Sequence, residues 1–285
     1  MIWQTTRFDI DLTVPRVMGI VNLTPDSFSD GGRHDSTTGG LRHAEQLLHE
    51  GADLLDVGGE STRPGSPVVP AEEEWRRIEG FLQEALRWQV PVSVDTYKPE
   101  TMQRALDLGV DIVNDIWALQ QPGALAVVGS HARCGVCLMH MHRDPQTMQK
   151  APMQGDVLPT VAGFLQARAD ALRARGVAAS RIVLDYGIGF GKTVAQNFSL
   201  LARQQELLAL GYPLLAGWSR KSSLGAVLAR EGQVPEPAER VSASVAAALL
   251  AVERGARIVR VHDVRETVDA LRVLRHLQAD TAASA

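Results

Sequence analysis

With 285 residues, 45% of them hydrophobic and 22% charged, and a net charge of −4, the chain has the composition of an ordinary globular protein, not of a disordered or fibrous one. The acidic balance offers no global field for nucleic acid, no apolar run approaches the roughly 20 residues of a bilayer crossing, and no signal-peptide pattern opens the chain, so a cytoplasmic protein without membrane or nucleic-acid partners is expected. Any anionic ligand must be held by locally placed Arg, Lys or backbone N–H groups.

The first apolar run, Met18-Gly-Ile-Val21, ends at Asn22, and a long polar stretch over 22–40 precedes helical spacing at 41–50, which stops at Gly51. Leu54-Leu55 ends at Asp56, and a second long stretch, 58–70, leads to a helix over 72–88 that opens on three acids, favourable at a helix N-terminus. Val92-Ser-Val94 runs into Asp95-Thr96 and a helix over 99–108, and Ile112-Val113 into Asn114-Asp115 and a helix over 123–132. Val136-Cys-Leu-Met139 meets His140 and is followed by a helix over 157–175, while Ile182-Val-Leu184 meets Asp185 and is followed by one over 197–209. Leu214-Leu-Ala-Gly217 leads to Ser219-Arg220-Lys221, a break at 231–237 and a helix over 239–254. Ile258-Val-Arg-Val261 ends in His262-Asp263 before a last helix at 264–277.

Strands buried on both faces read as continuous apolar runs, and strands alternating with helices imply βαβ units and a parallel sheet. Eight such units with short returns favour an α/β fold of one closed (β/α)8 TIM barrel over an open doubly wound sheet. It would occupy one domain over 1–278, with a disordered tail at 279–285. The polar residue ending each strand would then sit at the C-terminal mouth, with the long loops after the first and second strands above it as candidate lids.

Asp95, Asn114 and Asp185 are polar groups at closed strand ends, costly to bury unless paired. They read either as structural caps or as acceptors aimed at a ligand with several N–H donors, such as a 2-amino-4-oxo heterocycle, whose two parallel donors suit a carboxylate. Ser219-Arg220-Lys221-Ser222 follows the seventh strand, where this fold often binds phosphate, and with Arg260, His262 and Thr62-Arg63 it forms a local anion site. Lys221 as a Schiff-base nucleophile is the rival reading. The run Gly187-Ile-Gly-Phe-Gly-Lys-Thr193 is one residue short of a Walker A loop and also fails G-x-G-x-x-G, which leaves a flexible turn beneath a flat ligand. Cys134 and Cys137 have redox spacing but lie in or beside a buried strand, so inert packing is expected. His140 and His142 lack a third metal ligand and are given no role.

The run Met18-Gly-Ile-Val-Asn-Leu-Thr-Pro-Asp-Ser-Phe-Ser-Asp-Gly-Gly32 resembles the first signature of the dihydropteroate synthase family, and Asp56-Val-Gly-Gly-Glu-Ser-Thr-Arg-Pro-Gly65 the second. Ser93-Val-Asp-Thr-Tyr-Lys98, Val113-Asn-Asp-Ile116, Leu138-Met-His140, 187–192, Ser219-Arg-Lys-Ser222 and Arg260-Val-His-Asp263 match in order over nearly the whole chain. The resemblance implies a transferase of folate biosynthesis that joins 6-hydroxymethyl-7,8-dihydropterin pyrophosphate to p-aminobenzoate, giving 7,8-dihydropteroate and pyrophosphate.

By that resemblance Asp95, Asn114, Asp185 and Lys221 would hold the pterin, and Asn22 would place Mg2+ on the pyrophosphate, which Arg63, Arg260 and His262 would bind. Thr62, Phe28, Pro64, Phe190 and Ser222 would belong to the p-aminobenzoate side, and Asp30, with Lys221 and Arg63, would act in catalysis. The reaction would be a Mg-assisted dissociative substitution, open to competition by sulfonamides, in a homodimer formed through the late helices. Where the family commonly has proline after the aspartate, this chain has Tyr186, whose ring is expected beside the pterin pocket, altering local geometry or pterin affinity. A methyltetrahydrofolate-dependent methyltransferase domain would share the Asp/Asn clamp without needing the cationic set, and a silent pterin-binding paralogue is the further alternative.

Overall fold

A hairpin that no apolar run announces opens the chain: β1 (Ile2–Gln4) and β2 (Asp9–Asp11) pair antiparallel. In this computed structural model, residues 1–24, 32–62 and 65–283 are described, the side chains of 32–36 and 278–283 excepted. The eight apolar runs become β3 (Arg16–Asn22), β4 (Leu54–Gly58), β5 (Val92–Asp95), β6 (Ile112–Asp115), β7 (Gly135–Met139), β8 (Ile182–Asp185), β9 (Leu214–Ala216) and β10 (Ala256–Val261). All pair parallel in chain order, and β10 closes on β3, so the fold is the expected (β/α)8 barrel. A bulge between Ala256 and Ile258 shifts the register of β10 against β9.

The helices are α1 (Gly32–His49), α2 (Ala71–Ala85), α3 (Pro99–Leu108), α4 (Ala124–Ser130), α5 (Leu158–Arg173), α6 (Val194–Ala202), α7 (Gln204–Leu207), α8 (Ser222–Leu228), α9 (Val241–Glu253) and α10 (Val264–Ala283). α3 has the expected bounds because both ends are encoded locally: Pro99 sits in its first turn, and Gly109 at φ 104° closes it. α6 starts earlier than expected, on a capping box between Thr193 and Gln196.

α1 differs most, beginning at Gly32 inside the stretch expected to be loop. Gly40 lies on its inner face, where a Cβ would overlap Leu23 and touch Phe81 at 3.4 Å. That glycine allows a close helix–helix approach, so it is no sign of a turn. α8 is absent from the expected elements, being short and carrying Gly225 beneath the Arg240 guanidinium. The expected break at 231–237 is a turn bridged between Arg230 and Gln233, leading to a 3-10 turn at Pro237–Arg240. α10 runs to Ala283, into the stretch expected as a disordered tail, where alanines favour helix.

Three apolar clusters order the molecule, one around the barrel and two along its axis. Between strands and helices, Val17, Val21, Leu55, Val57 and Val94 meet Ile78, Phe81 and their neighbours. Inside the barrel, Met18, Leu54, Ile112, Cys137, Val183, Leu215 and Ile258 form a separate cluster, closed at the N-terminal end by Trp3, Ile10 and Leu12 of the hairpin. The Trp3 indole N–H donates to the Arg181 carbonyl at 3.0 Å, and Arg7 clamps the buried Asp111. Cys134 and Cys137 are both buried and free, with burial raising both thiols, so neither is poised for redox chemistry. At the opposite end Ile116, Met139, Met141, Met148 and Phe190 gather beside Tyr97 and Trp117. This layer borders the polar mouth.

Candidate active site

Register brings the polar strand ends together: Asp95 on β5 lies beside Asn114 on β6 and Gly58 on β4, and Asp185 on β8 beside Met139 on β7. Arg260 on β10 reaches across the interior, its Nε donating to Asp56 Oδ2 at 2.6 Å and its Nη2 to Asp95 Oδ2 at 2.7 Å. Asn114 Nδ2 donates to the same Asp56 oxygen at 3.1 Å. Arg260 therefore sits with the carboxylate set, where sequence reasoning grouped it with the anion-binding residues.

The electrostatics follow from that enclosure. Burial pushes the Asp95 carboxyl up to about 7, against the pull of Arg260 and with help from Asp56. Asp185 is also raised by burial, opposed by the Gly187 N–H at 2.7 Å and by Lys221 and Lys192. Burial alone would lower Arg260, but Asp56 and Asp95 outweigh it and hold the guanidinium firmly charged. Lys221 keeps part of its surface open at the mouth, yet protein atoms surround it densely, and burial brings it down to about 8 despite Asp185. Its ammonium stands 4.3 Å over the Phe190 ring, a cation–π contact that joins a residue expected on the pterin side to one expected on the p-aminobenzoate side.

The Gly-rich run forms a turn folded over the fifth strand end. Lys192 is buried at its centre, donating to the carbonyls of Gly187 at 2.8 Å, Phe190 at 3.2 Å and His140 at 3.3 Å, and lying 3.0 Å from His140 Nδ1. Burial and the neighbouring ammonium push His140 down to about 3, so its neutral ring accepts from Lys192, while Lys192 itself comes down to about 7 through burial. His140, left without a role by sequence reasoning, thus anchors the turn that carries Phe190, and its edge packs on Phe164 at 5.0 Å. Its Nδ1 is taken up by Lys192, and among the described residues there is no cluster of three His, Cys, Asp or Glu fit for a metal.

Tyr186 corrects an expectation. Its ring does not flank the pocket but is fully buried in the strand–helix layer, its hydroxyl donating to Gln204 Oε1 at 2.7 Å. Side chains alternate along a strand: Asp185 faces inward, so its neighbour faces the helices.

A second buried network, unforeseen in the sequence, ties the loop after β4 to the one after β5. Lys98 pairs with Glu60 and, at 3.2 Å, with Glu74; the Tyr97 hydroxyl donates to Glu60 at 3.0 Å. Thr96 and Thr101 donate to Glu74 at 2.8 and 2.6 Å, so the third acid of the α2 start is a buried hub as well as a complement to the helix dipole. Arg77 adds a bond to the Gly59 carbonyl at 2.9 Å.

Thr62 is half-buried beyond β4, and Asn22 is half-buried at the end of β3. Ser219 Oγ lies 2.9 Å from His262 Nδ1, which fixes the imidazole at the mouth. Ser222 is exposed in the first turn of α8, and Arg220 turns away to pair with Asp263. Phe28, Asp30, Arg63 and Pro64 lie outside the described residues.

A family model described as "Pterin binding enzyme" matches residues 18–262. The chain is 51% identical over 277 residues to the dihydropteroate synthase of Neisseria meningitidis serogroup B, covering 95% of this chain and 96% of the relative. It resembles the structure of Burkholderia cenocepacia dihydropteroate synthase complexed with 7,8-dihydropteroate at 49% identity and a TM-score of 0.89, covering 99% and 98% of the two chains. A Yersinia pestis dihydropteroate synthase structure with a sulfonamide drug complex is similar at 42% identity and a TM-score of 0.90, covering 98% and 100%.

Proposed function

Because the chain belongs to the dihydropteroate synthase family of pterin-binding enzymes, we propose that it condenses 6-hydroxymethyl-7,8-dihydropterin pyrophosphate with p-aminobenzoate by a dissociative substitution. The observation that carries this reading is the enclosed set of Asp95, Asn114, Asp185, Lys221 and Arg260 at one end of the barrel. Carboxylates and an amide oxygen are acceptors for the ring's N–H edge, and buried polar groups left without a ligand are costly, so a ring lacking those donors is rejected.

The pterin carbon bears a pyrophosphate that leaves with both electrons of the C–O bond; the arylamine nitrogen, unprotonated at neutral pH, attacks the resulting cation and then releases a proton to water. His262, held by Ser219, and Arg63 bind the leaving group. Arg260 contributes through Nη1, the guanidinium nitrogen with no hydrogen bond among the described residues. Lys221, lying over Phe190, stabilises the ring's polar edge. The resemblance assigns stabilisation of the developing cation to Asp30 and the p-aminobenzoate side to Phe28, Thr62, Pro64, Phe190 and Ser222. Sulfonamides compete there because they share the aniline end, in keeping with the drug-bound Yersinia relative.

The donor set suits Mg2+ only in part of its shell. Asn22 at the end of β3 would hold the ion, with substrate phosphates and water completing its oxygen shell, as is usual for Mg2+. When bound it would neutralise charge on the departing pyrophosphate. A homodimer is carried by the resemblance, with Leu250 of α9 40% exposed beside small residues. A cytoplasmic location accords with there being, among the described residues, no helix long and apolar enough to cross a membrane.

The test supplies the pterin pyrophosphate, p-aminobenzoate and Mg2+ and follows pyrophosphate release and dihydropteroate formation together. Release in step with p-aminobenzoate consumption is expected. Ring binding without turnover would leave the silent-paralogue reading, and methyl transfer from methyltetrahydrofolate would leave the methyltransferase one.

A further inference from the structure

Asp56 belongs to none of the ligand-binding roles assigned above, yet it sits at the centre of the pocket's wiring. It is fully buried on β4, and its Oδ2 takes two donors, Asn114 Nδ2 at 3.1 Å and Arg260 Nε at 2.6 Å. Its Oδ1 has no hydrogen-bond partner among the described residues, and neither does the buried Oγ of Ser93, its register neighbour on β5. Two buried polar atoms on neighbouring strands without partners among the described residues are an exception that a purely structural tie does not require. A polar ligand or ordered water would satisfy them.

The consequence lies in what an ionised carboxylate imposes on an amide. Asparagine presents an oxygen and an NH2 group of nearly the same shape, and nothing in its own chemistry decides which faces a ligand. A carboxylate accepts only. Asn114 must therefore turn Nδ2 toward Asp56, which leaves Oδ1 as the group that faces away from it. The same oxygen of Asp56 holds Nε of Arg260, aligning the guanidinium so that Nη2 reaches Asp95.

We propose that Asp56 is the positioning residue that sets the polarity of the pterin pocket: it orients the Asn114 amide with its oxygen toward the ring and aligns Arg260 on Asp95, and so makes the site selective for a heterocycle edge made of N–H donors. This deepens the reading above and rests on it. With Asp56 neutral, the Asn114 amide is free to turn over, and the pocket no longer distinguishes a donor edge from an acceptor edge.

The experiment compares wild-type chain and D56N by calorimetric titration with the 2-amino-4-oxo dihydropterin alcohol and with its analogue lacking the 2-amino group. Steady-state turnover runs in parallel. Affinity for the aminated ring is expected to fall about ten- to a hundred-fold in D56N, the loss typical of a hydrogen bond to a charged group. Affinity for the analogue should change much less, so the ratio between the two rings collapses. KM for the pterin pyrophosphate should rise, and kcat should fall as well, because Arg260 loses the alignment that serves the leaving group.

The pH dependence gives a second readout. Asp95 faces Arg260 on β10, Asp56 on β4, Glu74 on α2, Asp115 on β6 and Lys221 beyond β9, and of these only Asp56 is altered, so the acidic limb of kcat/KM should move to lower pH. Equal loss for both rings, or no change in either, overturns the proposal. Should D56N not fold, Asp56→Ser, which leaves room for a water, carries the same comparison. A wild-type chain that binds the aminated ring selectively but releases no pyrophosphate would refute the proposed reaction while leaving the role of Asp56 standing.

Discussion

Gly187→Ala is the severest single-methyl change the pocket's framework offers. Gly187 adopts φ 67°, where an L side chain costs about 1–2 kcal/mol. Its Cβ would also overlap the His140 carbonyl oxygen and stand 3.0 Å from the carbonyl carbon, and the obstacle is backbone, so the turn must shift. The shift loosens the Gly187 N–H bond to Asp185 at 2.7 Å and the Lys192 bond to the Gly187 carbonyl at 2.8 Å. Each involves a charged group and contributes about 1.5–3 kcal/mol. Partial loss of both, added to the backbone term, gives roughly 3–6 kcal/mol, or a melting temperature lower by roughly 5–10 °C for a chain of this size.

Two other glycines calibrate the measurement. Gly189 at φ 85° meets nothing nearer than Lys221 Cδ at 3.4 Å, so Gly189→Ala should show only the backbone cost of about 1–2 kcal/mol. Gly163 sits in α5 with nothing within 4 Å, and Gly163→Ala should stabilise by about 0.5–1 kcal/mol. Thermal and urea denaturation of the three variants rank them, and pterin affinity should fall at least ten-fold in Gly187→Ala alone. A Gly187→Ala chain no less stable than Gly189→Ala would refute the claim that the Lys192-centred turn is clamped on His140.

Trp3→Ala should cost about 3–5 kcal/mol in urea denaturation, because the side chain is fully buried at the barrel's closed end and its indole bonds Arg181. Tyr186→Phe should lower stability by about 1–3 kcal/mol through the stranded Gln204 acceptor while leaving KM for the pterin substrate unchanged; a large KM effect would return the ring to the pocket wall. Asp115 is raised by burial to about 7, although the Trp117 and Leu119 N–H groups oppose it. Its protonated form is therefore favoured by folding below about pH 4, and that contribution is lost as pH rises toward 7. Asp115→Asn removes this dependence, so the stability gap between wild type and variant should shift in the variant's favour by a few kcal/mol at most between pH 4.5 and 7.5, read by chemical denaturation.

The barrel was legible because each strand announces itself locally, as an unbroken apolar run ending in a polar residue, and because α3 carries both of its boundary signals within its own span. The elements that escaped depend on distant partners. The β1–β2 hairpin exists because Trp3, Ile10 and Leu12 cap the barrel interior, and Gly40 reads as a loop until Phe81 is brought against it.

The site divides in the same way. Asp95, Asn114, Asp185 and Lys221 stood out as polar groups at strand ends, and the structure brings them to one mouth. Asp56 ends its apolar run just as plainly, although β4 continues to Gly58, but its importance comes from Arg260, 204 positions away. Lys192 looked like part of a failed phosphate loop, and its partner His140 like half a metal pair; neither makes sense without the other. The outward face of Tyr186 follows from its being one residue beyond an inward aspartate, a signal present in the sequence and outweighed by the resemblance to a proline site.

The hairpin at the closed end of the barrel also imposes a schedule on synthesis. Trp3 meets the Arg181 carbonyl across 178 positions of chain, and Arg7 meets Asp111 across 104. At roughly 5–20 residues per second on a ribosome, the carbonyl that receives the indole follows it by about 9–36 s. For that interval Trp3, Ile10 and Leu12 are an apolar segment with no seat, the kind of segment that chaperones hold. A nascent chain stalled before β8 should therefore be captured through the segment 2–12, and released once the strand that seats it has emerged.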